Sequence, residues 1–583
     1  MAPVSSVSAK SRAAQFKADL YEDDGVLFCT FCQHSIDFTR IDTIKDHLKS
    51  QKHVTRKEQK ESAKDKSDKQ VKQTTIKTAF SSKDLRKDFV LDYIKMCTMA
   101  DIPLEKTSKM KPFILKYCKQ GGTLPSAPFL REKYVPELFK LHFDALKLIL
   151  KDQSVTVIAD ETTDCRDKSV LNVIASTEGK CYLIDVVEMA ACNHATLSQA
   201  VIQAVTSVGV EFKNVVAIVT DSAAYCQKAY RDVLSAVFSN SVYVRCFAHI
   251  FNLAGDIFHF HESLQQLRTL TSLIKSAFVK KPGRKARYLE YLSEFAPPDH
   301  VKLAPEPVSS RWNSWFNAVL YHVDHLVYYE GFFKQEKGDG DAVERIIAYT
   351  GKQSLPNMML QAAFVAENCG KVAASITTLE GTHDTLACSM FNIGEDLVNY
   401  LKTGMSKESF GERTDTLLSK MSNTERSKAV KQFQSVFKKS HDKLSSHFNE
   451  NNTSYELFKA ARVFDPRQLP TISHDITRYP GVKEFENRTP EMQAEWDAYI
   501  NTNVADLPEQ FNIAAYWKAA DQRYPLLSKV ARRVIWIPPA SVDVERSFSR
   551  YKDIIDDKRE NLTMQHTRQL VMLSYNGDIE KRF

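Results

Sequence analysis

One stretch constrains the fold more than any other: Val155-Thr156-Val157-Ile158-Ala159-Asp160-Glu161-Thr162-Thr163-Asp164, an apolar, β-branched run that ends in a carboxylate and then a polar turn. Such a run is how a buried central strand delivers an acid to the rim of a sheet. Taken alone, it reads more simply as a strand closed by an Asx-type turn. The chain repeats the device at Val215-Val216-Ala217-Ile218-Val219-Thr220-Asp221-Ser222. Two strands ending in Asp raise the expectation that Asp160 and Asp221 are brought together.

The surrounding pattern says how. Residues 155–160, 169–176 and 181–189 read as three consecutive strands separated by short polar turns. Residues 194–208 read as a helix, 215–221 as a strand, a second helix carries Tyr230, Val233, Leu234, Val237 and Phe238 at helical spacing, and 241–247 is a fifth strand. The order β-β-β-α-β-α-β predicts a mixed sheet, three antiparallel strands followed by crossover connections. In that order the first and fourth strands lie side by side and parallel, with both acids at the same edge.

At 583 residues, 43% hydrophobic and 26% charged, the chain has material for several domains and no apolar tract long enough to span a bilayer. The first fifteen residues lack an apolar signal core, and the eleven Cys are mostly scattered in apolar runs, which fits reduced thiols in a cytosolic or nuclear protein. The exception is Cys29-x2-Cys32-x14-His47-x5-His53. Two thiolates on a knuckle and two imidazoles on a helix and its C-terminal extension make a closed tetrahedral site for one structural zinc ion. The x5 spacing is at the long edge for such a site. So short a module depends on the metal for most of its folding energy.

The expected organisation is a disordered tail (1–20), the zinc finger (21–60), a basic linker (61–83) and a small helical DNA-binding or dimerisation domain (84–150). A sheet-bearing core follows in two parts (151–265 and 526–583), the second with C-terminal dimerisation helices, separated by an α-helical insertion (266–525). Lys280, Lys281, Arg284 and Lys285 cluster at a helix break, as candidate phosphate contacts or as a plain exposed loop. Near the end, Ser541-Val542-Asp543-Val544-Glu545-Arg546-Ser547-Phe548-Ser549 opens a helix that Ser541 can cap. Glu545 flanks its apolar stripe of Val544, Phe548, Tyr551 and Ile555. Asp160, Asp221 and Glu545 offer only hard oxygen ligands, suited to Mg²⁺ or Mn²⁺.

The strands leading to Asp160 and Asp221, the segments Arg245-Cys246-Phe247-Ala248-His249 and Ser310-Arg311-Trp312-Asn313-Ser314, and the run from Ser541 to Ser549 occur in the order seen in hAT-superfamily DNA transposases, which the chain resembles over nearly its whole length. The finger resembles the BED type, and Phe89 to Tyr134 is similar to the CGG-triplet-repeat-binding protein family. The resemblance implies an RNase H-like α/β core interrupted by a large all-α insertion. It makes Asp160, Asp221 and Glu545 the ligands of two Mg²⁺ ions per site. It also places Cys246 and His249 near that site and Arg311 and Trp312 against displaced DNA, with Trp315 an alternative stacking residue.

The implied activity is cut-and-paste transposition in the nucleus. A homo-oligomer, at least a dimer, binds terminal inverted repeats in double-stranded DNA, cleaves with hairpin formation on flanking DNA, and joins the 3′-hydroxyl ends to target DNA. Neither a membrane nor a small-molecule substrate is expected. The competing reading is a domesticated, transposase-derived DNA-binding regulator that no longer cuts; a third is a general RNase H-like nuclease.

Overall fold

A computed structural model describes residues 7–23, 25–32, 34–58, 82–118, 124–308, 312–336, 340–381, 387–504, 511–555 and 562–579. The chain divides into two compact units, Met1–Lys83 and Asp84–Phe583.

In the first unit, α1 (Ala9–Gln15) precedes a three-stranded antiparallel sheet, β1 (Leu20–Asp23), β2 (Val26–Cys29) and β3 (Ser35–Ile36), followed by α2 (Ile41–Lys49) and a helix α3 over residues 51–58. The tail expected to be disordered over residues 1–20 is therefore structured from α1 onward. Ser8 caps α1 by accepting from Ser11 N, and Ala9 is buried with Leu20, Leu27, Ile36 and Ile44. The helix α3 is tied to the sheet by two cations: Arg56 donates to Cys32 O at 3.2 Å and Lys57 pairs with Asp19 at 2.8 Å. Residues 61–81 of the expected linker lie outside the described residues.

The second unit opens with α4 (Ser82–Met99), α5 (Thr107–Tyr117) and α6 (Val135–Leu150), which presents Leu138, Leu146 and Leu150 to the core. The sheet comprises β4 (Val155–Thr163), β5 (Ser169–Thr177), β6 (Lys180–Met189), β7 (Val215–Thr220) and β8 (Val242–Arg245) in the spatial order β6-β5-β4-β7-β8. β4 to β6 form an antiparallel meander, and β7 and β8 add in parallel. The connections to β7 and β8 run through α7 (His194–Ser207) and α8 (Ala224–Ala229), as parallel pairing requires a crossover. β4 and β7 are fully buried over 155–159 and 215–219, and apolar there except for Thr156, because both lie inside the sheet and are covered on two faces.

Helices make up nearly all the rest. α9 (Phe247–Phe260), α10 (Gln265–Phe278), α11 (Pro282–Phe295) and α12 (Trp312–Gln335) lead a long helical stretch, and α13 (Val542–Ile554) and α14 (Met564–Asn576) close the chain. That stretch does not stand apart: one apolar core runs continuously from β4 through Phe364, Phe437, Trp496 and Trp517 to Val571.

Both edges of the sheet are covered by side chains from far along the chain. At β6, Asn576 accepts from Leu183 N at 2.7 Å and donates to Leu183 O at 3.0 Å. At β8, Ser454 Oγ accepts from Arg245 N at 2.9 Å, and Thr453 and Ser454 donate to Tyr243 O. These bonds satisfy edge groups that would otherwise template further pairing.

The β5–β6 hairpin turns through Glu178 and Gly179, both at positive φ (45° and 74°), as a two-residue turn demands. A Cβ on Gly179 would lie 2.5 Å from Cζ3 of Trp536, just ahead of α13. Gly179→Ala is expected to cost about 1–3 kcal/mol, combining backbone strain with displacement of the indole. The readout is a lower denaturation midpoint with unchanged helix content.

Candidate functional site

In the first unit, Cys29, Cys32, His47 and His53 converge, their ligand atoms all within 4.8 Å of one another. Cys29 ends β2, Cys32 follows on the turn, and His47 lies in the last turn of α2. The long His-x5-His spacing is accommodated by a break rather than by one extended helix: Ser50 is extended (ψ 139°), and its hydroxyl donates to His47 O and accepts from His53 N. His53 thus sits on α3, with Nδ1 3.3 Å from Cys29 Sγ and Nε2 3.3 Å from Asp19 Oδ1. A carboxylate on the outer nitrogen orients a ligating imidazole. His47 Nε2 is buried without a hydrogen-bond partner. Two thiols and two imidazoles, one with an orphaned nitrogen, fit a tetrahedral ion such as zinc after contraction to ligand spacings of about 3.3–3.8 Å.

In the second unit, β4 and β7 run parallel in the register Ile158↔Val219. Two residues on, Asp160 and Asp221 stand at equivalent positions of neighbouring strands. Asp160 is not the end of β4, which continues to Thr163 because it keeps its antiparallel partner through Thr163↔Ser169. It marks instead where the parallel neighbour stops, at Thr220, and the sheet opens. Asp221 turns the chain there, its Oδ1 accepting from Ala223 N at 3.0 Å.

Glu545 comes to this opening through α13. Asn172, directly across β5 from Asp160, donates to Ser547 Oγ at 2.7 Å, both side chains fully buried. At the next turn, Asp164 accepts from Tyr551 at 3.0 Å and from Arg166 Nε at 2.9 Å. Despite burial, the hydrogen bonds from Lys168 N–H, Arg166 and Tyr551 hold the Asp164 carboxyl below the usual range. Ser541 occupies the N-cap position of α13 without making a side-chain cap. Its N–H is directed instead at Cys246 Sγ, 3.3 Å away. Cys246 is buried, so it ties the end of β8 to α13 and has no surface to offer a ligand.

Asp160 feels the other two acids. The protein around Asp160 strips it of water, and the charges of Asp221, Glu545 and Glu161 add to this, pushing its carboxyl up to about 7 against the Glu161 N–H bond. Glu161 itself points to the opposite face, accepting from Ser169 and Tyr225. Among the described residues only the Cys–His set brings three or more ligand atoms within 4.8 Å. The acids stand further apart as a set.

Glu545 also lines a cleft of about 840 Å³ with His249, Arg268, Lys275, Arg345 and Trp315. Trp315 stacks on His259 (centroids 4.4 Å apart, 29°) and donates to Thr271 Oγ1 at 3.3 Å. Burial, then the charge of Arg268, drives His259 down to about 4, so the imidazole is neutral. Arg311 lies outside the described residues; Trp312 opens α12. Of the basic cluster, Arg284 is buried in bonds to Glu336 (2.9 Å) and Ala277 O (2.8 Å), and Lys285 pairs with Glu306 at 2.7 Å. Arg284 is thus a structural ion pair rather than a surface contact, because α11 turns it inward. Lys280 and Lys281 remain exposed.

Comparison with known proteins decides the lineage. Family models match the CGGBP1 N-terminal domain over residues 3–59, the CGGBP1 helical domain over 80–137, a domain of unknown function (DUF659) over 128–270, and the hAT family C-terminal dimerisation region over 495–576. The chain carries CGGBP1-type domains at its N-terminus and a hAT-type dimerisation region further along. CGG triplet repeat-binding protein 1 of Homo sapiens and that of Mus musculus are each 32% identical to it over 133 residues, 22% of this chain and 80% of the relative. The DUF659 match carries Asp160, Asp221, Cys246 and His249, and the hAT region carries Glu545. The Asn172–Ser547 bond joins the two matched regions.

Asn172, the Asp164–Tyr551 bond and the cleft residues Arg268 and His259 escaped sequence reasoning. Asn172 left a signal: it is the one amide inside Val170-Leu171-Asn172-Val173-Ile174. The cleft left none, since its walls come from separate helices.

A carboxyl raised on folding holds a proton that the unfolded chain has lost between about pH 4 and 7, so Asp160 erodes stability as pH rises through that window. Asp160→Asn is expected to raise the melting temperature of ion-free protein by about 2–4 °C at pH 8 and to leave it unchanged at pH 4. Calorimetry in EDTA at the two pH values is the measurement.

Proposed function

We propose that the chain is a cut-and-paste DNA transposase whose RNase H-like core cleaves transposon ends in double-stranded DNA and joins them to a target. The observation that carries this reading is the equivalent placement of Asp160 and Asp221 at the opening of the sheet, with Glu545 near enough for its charge to act on Asp160. The donor set fits Mg²⁺ or Mn²⁺: it is all carboxylate oxygen, and none of the three forms an ion pair among the described residues. Two such ions, when bound, activate water and stabilise the leaving oxygen of a phosphodiester.

The chain's own residues do the rest. Asp160 gives up its proton as the site fills, and Asp221, pinned by its turn, supplies oxygens from the neighbouring strand. Glu545 closes the set from α13. Arg268, Lys275 and Arg345 supply positive charge along the cleft, with His249 beside Glu545. Trp312 is the indole assigned to a base displaced as flanking DNA folds into a hairpin; Trp315, buried and stacked on His259, has no open ring face to offer. The Cys29–Cys32–His47–His53 module holds one structural zinc and, with the helices of residues 84–150, recognises the ends. Function in the nucleus as at least a dimer follows from the DNA substrate, the need to hold two ends, and the match to a dimerisation region.

The alternative is a transposase-derived DNA-binding regulator without cleavage. One observation favours it: the CGGBP1-type matches end at residue 137, before the sheet, and the human and mouse relatives are named for binding CGG triplet repeats.

The deciding experiment incubates the full chain with duplexes bearing the element's ends in Mg²⁺ or Mn²⁺. Nicking is expected, with Asp221→Asn at least about 100-fold slower and still binding the ends. Binding without cutting by the unaltered chain would give the regulator reading. Separately, Cys29→Ser is expected to abolish uptake of one zinc per chain and to strip amide protection from residues 20–58, read by metal analysis and hydrogen exchange.

A further inference from the structure

The helix α5 is anchored by very little. Thr107 and Ile114, two turns apart, are its buried residues, with Thr107 Oγ1 accepting from Tyr93 at 3.0 Å. Most of its remaining surface is open. Phe113 is 64% exposed, more than any other large hydrophobic side chain among the described residues, and Tyr117 is 60% exposed. A phenylalanine so placed leaves most of its ring in water, at a cost in solvation free energy.

The two rings are not scattered. At about 100° per residue, Lys109, Phe113, Lys116 and Tyr117 fall within an arc of about 100°, and Lys106, at the N-cap of α5, extends the same line. The ring centroids of Phe113 and Tyr117 are 5.1 Å apart, tilted by 45°, and Lys116 Nζ lies 5.1 Å from the Tyr117 centroid. None of the three lysines pairs with a carboxylate among the described residues, and the adjacent Glu105 is held by Arg131. The face is therefore a row of unpaired cations interleaved with open aromatic rings, about 16 Å long.

We propose that this face is a stacking platform for unpaired bases of a nucleic-acid strand, with Phe113 and Tyr117 under the bases and Lys106, Lys109 and Lys116 on the phosphates. The charge selects a polyanion. The rings select a strand whose bases have free faces, because bases within a duplex are already stacked on both sides. The proposal takes from the functional reading only that the ligand is nucleic acid; the platform is not part of the acid site. It would give the chain a hold on a strand that has left its duplex, without sequence readout.

The test uses the full chain and fluorescently labelled oligothymidylate, with a hairpin duplex of equal length for comparison. Phe113→Ala combined with Tyr117→Ala is expected to weaken oligothymidylate binding by at least about 25-fold, one stacked base lost per ring. Binding to the hairpin duplex, which lacks the element's ends, should fall far less than oligothymidylate binding, and the salt dependence should be unchanged. Phe113→Trp with Tyr117→Trp should retain binding, showing that the ring face is what matters. Lys109→Gln with Lys116→Gln should lower the slope of log affinity against log salt by about 1.4.

Unchanged oligothymidylate binding in the alanine variant overturns the proposal, as does an equal loss for duplex and single strand. A change in sedimentation with unaltered binding also overturns it, assigning the face to a protein contact. Cleavage of transposon ends by the same alanine preparation is a separate readout, so failure of the platform leaves the acid-site reading standing, and the reverse.

Discussion

The hydrogen bond from Asn172 to Ser547 links residues 375 positions apart and sets where the last helices meet the sheet. Both partners are fully buried, so neither has water as an alternative, and breaking the bond would leave a polar group stranded at a cost of about 1–3 kcal/mol. Because Asn172 lies across the ladder from Asp160, the same bond fixes the height of α13 over the acid. The Asp164–Tyr551 bond one turn further on prevents the helix from rolling about that single point. Polar contacts in an otherwise apolar layer give register where hydrophobic packing alone would allow slippage.

The price of this arrangement is a set of carboxylates whose neighbours are one another. Asp164, a few residues from Asp160, shows the contrast: supplied with N–H donors, a guanidinium and a phenol, its charge is favoured, whereas Asp160 has one backbone N–H and three acids. The fold stabilises charge at the staple and leaves it unstabilised at the opening. Strain of this kind persists only where the surrounding scaffold is strong enough to hold it, and the sheet, with both edges covered, is such a scaffold.

Much of this was legible from the chain itself. Apolar β-branched runs bounded by polar turns located all five strands of the large sheet, and the order of connections placed β4 beside β7. The Cys and His spacing located the metal module, although not the break at Ser50 that its long spacing requires. Asp160 and Asp221 stood out because each follows a buried apolar run, although Asp160 lies inside β4 and not at its end. Glu545 was reached by resemblance alone, since nothing local marks a helical glutamate as belonging to a strand hundreds of residues earlier. Arg284 was read as a surface group because sequence shows which groups a segment carries and not which way its helix faces. Periodicity likewise separated the helices of residues 266–525 from the strands, but it could not show that they share the sheet's core.

The distance between β8 and α13 also sets a timetable for synthesis. At about 5–20 residues per second, the roughly 300 residues between Arg245 and Glu545 take about 15–60 s to emerge. For that interval the sheet and Asn172 wait without their cover. A chain halted anywhere within it carries the N-terminal module and both strand acids but neither Glu545 nor the staples that hold α13, and its exposed sheet face is a natural site for chaperone capture. The three acids cannot come together until α13 has been made.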